Sequence, residues 1–238
     1  MKMTLCVPES VAYWKAPVVP GTASERARFA FDGHWFGAKS EARVRTLISH
    51  LDLRFDAYPS ALAALRFWQP PSDVAPWICH LHTQLSDPVY RRFSGEYLPE
   101  RLAKGYSTVD RDAVARWVDE HWAGRWAPVT CVKFGGNMLA TAFETGLLTD
   151  GKDPRKLTAP RVPVVALEYL LYLLRETTVE GGLLDSPYFR SVAPDESSQS
   201  YALGALRAVR LKSLGDVREF DWTYPDLMSW ASAQKEAA

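Results

Sequence analysis

The stretch DESSQSYALGALRAVRLKSLGDVREFDW (residues 195–222) changes period midway. Its first half predicts a helix over roughly 195–209. Its second half, 211–214 and 217–222, predicts two short strands around a tight turn at Gly215 and Asp216, with Phe220 and Trp222 facing inward. A helix leading into a hairpin is the outline of a winged helix. Residues 110–163 repeat it more weakly, with helices opened by Asp110 and Pro128 and a glycine-, lysine- and proline-rich loop or hairpin over 146–163. Gly135 and Gly136 there are expected to let a neighbouring helix pack closely.

Working outward, most of the chain reads as helix. Thr22 to Glu25 has capping-box spacing. Val44, Leu47, Ile48, Leu51 and Phe55 recur at helical spacing after a Ser40 cap, with Arg54 on the wet side. A helix is expected from Ser60 to about Trp68, and another from Ser72 or Asp73 through Leu81. Asp87 caps a third, with Pro88 at its first position. Val164, Leu167, Leu170, Leu171 and Leu174 mark a further helix, which Gly181 and Gly182 are expected to stop. A short helix over 187–192 and a last one from about Pro225 complete the reading. Glycine followed by two leucines recurs at Gly146 and Gly182, as a helix C-cap would require. The expected fold is mainly α, with helix-turn-helix or winged-helix-like parts and one or two short β-hairpins. The domains read as an extended arm over 1–21, an N-terminal helical domain with a wing-like loop over 22–157, and a C-terminal winged-helix-like domain over 158–238. Trp14 and Trp35 are placed to dock the arm.

Composition narrows the function classes. The 238 residues carry 28 Lys plus Arg and 28 Asp plus Glu, so the net charge is zero. That excludes a polycation and leaves a localised basic face. Cys6, Cys79 and Cys131 are too few and too far apart for a disulfide framework. No apolar leader is read at the N-terminus, and the most apolar stretch, 162–174, is shorter than the ~20 residues of a membrane span. A cytoplasmic protein without membrane contact is expected.

Catalytic motifs fail one by one. Gly146, Gly151 and Lys152 fit a phosphate-loop spacing, but Asp153 stands where Ser or Thr must hold magnesium, and no strand precedes it. Cys79, His80 and His82 lack further ligands for zinc, and one histidine is expected packed and the other exposed. His121 falls on an apolar helix stripe. No catalytic residue, cofactor or metal ligand is therefore assigned. The candidate DNA contacts are basic residues on helix starts and wings: Arg43, Arg45, Arg91, Arg92, Arg155, Lys156, Arg161, Arg207, Arg210 and Lys212. Acidic residues gather elsewhere, at Glu176, Glu180, Asp185, Asp195 and Glu196.

Several segments, in order, resemble the BrxA family of the BREX (bacteriophage exclusion) defence systems. They are RFAFDGHWF (28–36), PSALAALRFW (59–68), SDPVYRRF (86–93), ETGLL (144–148), APRVP (159–163), EYLLYLL (168–174), DSPYFR (185–190) and VREFDWTYPDL (217–227). The resemblance implies a helical, non-enzymatic protein that binds double-stranded DNA beside other BREX proteins, a methyltransferase and ATPases. The alternative is a protein–protein adaptor in the same complex that never touches DNA.

Overall fold

The computed structural model describes residues 3–177, 182–214 and 217–237. Helices run in the order α1 (Val7–Lys15), α2 (Ala23–Asp32), α3 (Glu41–Leu51), α4 (Pro59–Trp68), α5 (Ala75–Ser86), α6 (Pro88–Arg92) and α7 (Leu98–Ala103). The strand β1 (Thr108–Val109), α8 (Arg111–His121), α9 (Pro128–Glu144) and β2 (Arg155–Lys156) follow. Then come α10 (Val164–Arg175), α11 (Pro187–Val192), α12 (Glu196–Ala205), β3 (Val209–Leu214), β4 (Val217–Trp222) and α13 (Leu227–Glu236). The fold is mainly helical with two small antiparallel sheets, β1 with β2 and β3 with β4. No helix among the described residues is long and apolar enough to cross a membrane.

Local caps set most boundaries. Thr22 and Glu25 form a reciprocal capping box on α2. Ser40, Asp87 and Asp110 each accept an N–H at the start of α3, α6 and α8. Such caps are worth roughly 0.5–2 kcal/mol each. One boundary differs for a tertiary reason. The helix expected to reach Val209 stops at Ala205, because the Arg207 and Ala208 N–H groups are drawn to Glu168 Oε1 at 2.6 and 2.7 Å.

The extended arm is a correction. Residues 7–15 form α1, because Pro8 sits in the first turn, where its missing N–H costs nothing. Tyr13 and Trp14 then bury. Trp14 stands edge-on to Phe55 at 5.4 Å and Trp35 edge-on to Tyr13 at 6.5 Å, so both tryptophans dock this segment. The Tyr13 hydroxyl lies 2.9 and 2.8 Å from the Asp52 and Asp56 carboxylates, and Arg26 pairs with Asp52. Arg54, expected wet, is only 4% exposed. It sits in a π-helical turn over Asp52–Asp56 and donates to the carbonyls of Met3, Thr4 and Leu5.

α5 and α10 pack on each other at the centre and are buried nearly all round. A helix apolar on every side belongs inside a core. Both histidines of α5 are therefore buried, which corrects the expected split. His80 bonds Tyr90 Oη at 2.9 Å and Ser191 Oγ at 3.0 Å. His82 bonds the Arg54 carbonyl at 2.8 Å and Tyr169 Oη at 2.7 Å. Among the described residues no cluster of three metal-ligating side chains occurs.

α13 closes the chain against α4. Its hinge is Glu168 on α10, buried, with Oε1 on the two amides above and Oε2 accepting from Trp230 Nε1 at 3.0 Å. All three partners are donors, so only a carboxylate satisfies them. A Glu168→Gln substitution turns an NH2 toward a donor, and a loss of about 2–3 kcal/mol is expected. Urea denaturation reads it as a lowered midpoint; an unchanged midpoint contradicts this role.

Candidate nucleic-acid interface

The first unit runs α7, β1, α8, α9, a wing over 149–154, and β2. β2 returns to pair with β1, Thr108 opposite Lys156, and Leu148 bridges Leu157 across the wing base. This is the connection order of a winged helix. α8 and α9 touch closely because Gly135 has no side chain: a Cβ there would lie 3.0 Å from the Arg111 carbonyl oxygen. Gly146, at φ +77°, ends α9, and Leu147 and Leu148 bury behind it. The phosphate-loop spacing is thus a helix C-cap followed by a wing turn. Asp153 has a structural task, accepting from the Arg111 N–H at 3.0 Å and from Arg155 Nε at 3.1 Å. The outward face of α9 carries exposed Val129 and Lys133 with half-buried Gly136 and Ala140.

The second unit runs α10, α11, α12, β3 and β4. Ser186 caps α11 and Asp195 caps α12. Accepting from Ser198 holds the Asp195 carboxyl below its ordinary range. The outward face of α12 holds Ser197, Ser200, Tyr201 and Gly204; Tyr201 is 81% exposed. Phe220 and Trp222 turn inward as expected, with Trp222 5.0 Å from Tyr172. The turn at Gly215 and Asp216 lies outside the described residues. So do Gly181 and Glu180. Gly182 opens a 3-10 turn over Leu183–Asp185 and is not a second helix C-cap.

The ten expected contacts divide by what their side chains do. Arg91 donates to Tyr188 Oη at 3.0 Å and ties α6 to α11. Arg92 pairs with Glu96 at 2.9 Å and lies over Trp122. Arg155, its side chain 12% exposed, reaches under the wing to the Leu139 carbonyl at 3.0 Å. Arg45 is exposed but paired with Glu41 at 2.8 Å. Lys212 pairs with Asp221 at 2.9 Å. Arg43 is exposed and lines a cleft with Glu9 and Glu144. Lys156, Arg161, Arg207 and Arg210 are exposed.

The second wing balances its own charge. Arg210 stands opposite Asp221 and Lys212 opposite Glu219, so the outward face of β3 and β4 alternates cation with anion. The first wing keeps a small excess: beyond the internal Asp153–Arg155 pair, exposed Lys152 and Lys156 stand against one further carboxylate, half-buried Asp150. Lys133, Lys152 and Tyr201, exposed on the outward helix faces and the first wing, do not stand out in the sequence. Lys152 is hidden by its place in the false phosphate loop. The signal for Tyr201 is a helix whose inner stripe is short, since Ala202 is the buried residue of α12.

No family model, curated protein or solved structure matches the chain.

Proposed function

We propose that the protein binds double-stranded DNA through its two winged-helix units, as a non-enzymatic component of a BREX phage-defence system inside the cell. What supports DNA binding above all is that each unit presents the second helix of its pair outward. α12 shows Ser197, Ser200 and Tyr201, side chains suited to phosphate and base edges, followed directly by exposed Arg207. The wing lysines Lys152 and Lys156 flank α9 in the first unit in the same way. The ordered segments that resemble BrxA carry the assignment to the defence system, beside a methyltransferase and ATPases.

The exposed cations on the two wings and on the outward faces of α9 and α12 are few, so affinity is moderate and phosphate contacts dominate. Joint substitution of Lys152, Lys156 and Arg161 by alanine is expected to weaken duplex binding about tenfold or more. The log–log dependence on salt should flatten by roughly one for each phosphate that is no longer neutralised. Arg155→Ala is the contrasting variant: it loosens the wing and lowers stability. Equal affinity of the triple variant and the parent removes the first wing from the interface.

Exposed Phe29, Leu53, Tyr106 and Phe143 favour the adaptor as a second reading. That reading requires partner capture that survives nuclease treatment, with no DNA binding by the isolated protein.

A further inference from the structure

A cavity of 410 Å³ opens between the end of α3, the corner from α5 to α6, and the link from α8 to α9. Small-molecule sites span roughly 300–1,000 Å³. Met3, Leu53, Val89, Trp122, Trp126 and Phe134 form its apolar walls. Trp126 stands edge-on to Phe134 at 5.0 Å, with Trp122 6.0 Å away. The Arg125 guanidinium lies over the Trp126 ring at 5.1 Å.

The charges of the lining are unequal. Arg54 and Arg125 contribute to it against a single carboxylate, Asp87. Oδ1 of Asp87 accepts the N–H groups of Val89 and Tyr90. Arg54 is buried and donates to main-chain carbonyls; among the described residues it forms no ion pair. A cation held in a poorly solvated wall acts over distance more strongly than one in water. Tryptophan faces, a rim guanidinium and an excess of positive charge complement one kind of guest.

We propose that this cleft binds a small organic anion with an aromatic body, its ring against Trp122 and Trp126 and its anionic group toward Arg125. The site is independent of the DNA-binding reading, and its test needs no DNA. Calorimetric titration of the full chain with naphthylacetate and with its neutral isostere naphthylacetamide separates shape from charge. Saturable binding of the acid is expected, about tenfold or more tighter than the amide. Arg125→Gln is expected to erase that preference. Leu53→Glu, a change at an exposed rim position, is expected to weaken the acid and spare the amide. Failure of both probes to bind, equal binding of the two, or an acid affinity indifferent to both variants overturns the proposal.

Discussion

Gly95→Ala is expected to abolish the folded state or to lower its stability by more than about 4 kcal/mol. Gly95 lies in the π-helical turn over Phe93–Tyr97, pressed against the first residue of α11. A Cβ there would sit 2.1 Å from the Pro187 carbonyl oxygen and 2.6 Å from its carbonyl carbon. The obstacle is backbone, so no rotamer change relieves it, and the turn must separate from α11. Separation also breaks the Arg91–Tyr188 and His80–Ser191 hydrogen bonds across that junction. The loss rivals the ~5–15 kcal/mol of a typical domain. Gly204→Ala is the control: nothing lies within 4 Å of its Cβ position, and alanine gains up to ~1 kcal/mol in a helix. A Gly95→Ala urea midpoint equal to the parent's contradicts the packing described.

The second large effect is acid lability seated in α5. Ser191 Oγ donates to the Tyr188 carbonyl, so it accepts from His80 Nε2–H, and His80 Nδ1 accepts from Tyr90. The Arg54 carbonyl accepts from His82 Nδ1–H, leaving His82 Nε2 to accept from Tyr169. Each ring is neutral, with both nitrogens engaged, and a further proton would break a bond in the core. Burial pushes the two imidazoles from 6.5 down to about 3 and about 4. The unfolded chain therefore binds protons that the native state refuses once pH falls below 6.5. Stability is complete above that value and declines down to about 4, where His82 begins to protonate in place. The slope is up to about 1.4 kcal/mol per pH unit for each histidine. Asp56 and Glu144, raised by burial, act in the opposite sense near the carboxylate range and offset part of it. Urea midpoints should fall steeply as pH drops from about 6.5 to about 5. Replacing either histidine should flatten the profile, and a level profile in the parent contradicts the assignment.

Features encoded by neighbouring residues were legible in the sequence. The caps at Thr22, Ser40, Asp87 and Asp110 need a partner only two or three residues away. Proline is ambiguous by itself: Pro88 follows a capping Asp87 and reads as a helix start. Pro8 follows Cys6 and Val7, with no side-chain cap, and reads as extended. Burial of polar groups was not legible, because their partners are remote. Arg54 meets carbonyls 49–51 residues away, and Glu168 meets amides 39 and 40 residues away. The candidate interface follows the same rule. The wings could be placed from the period of the chain. Whether a wing cation faces solvent or an internal acceptor depends on packing, as Arg155 and Lys156 show side by side.

The central claim is that a chain of zero net charge still holds duplex DNA through a local set of exposed cations. Fluorescence anisotropy of a labelled duplex titrated with the full chain, repeated over a range of salt, tests it most directly. Binding at low salt is expected, with affinity falling at a log–log slope of about −3 to −5, as a few phosphate contacts require. No binding at low salt, or an affinity that ignores salt, contradicts the claim.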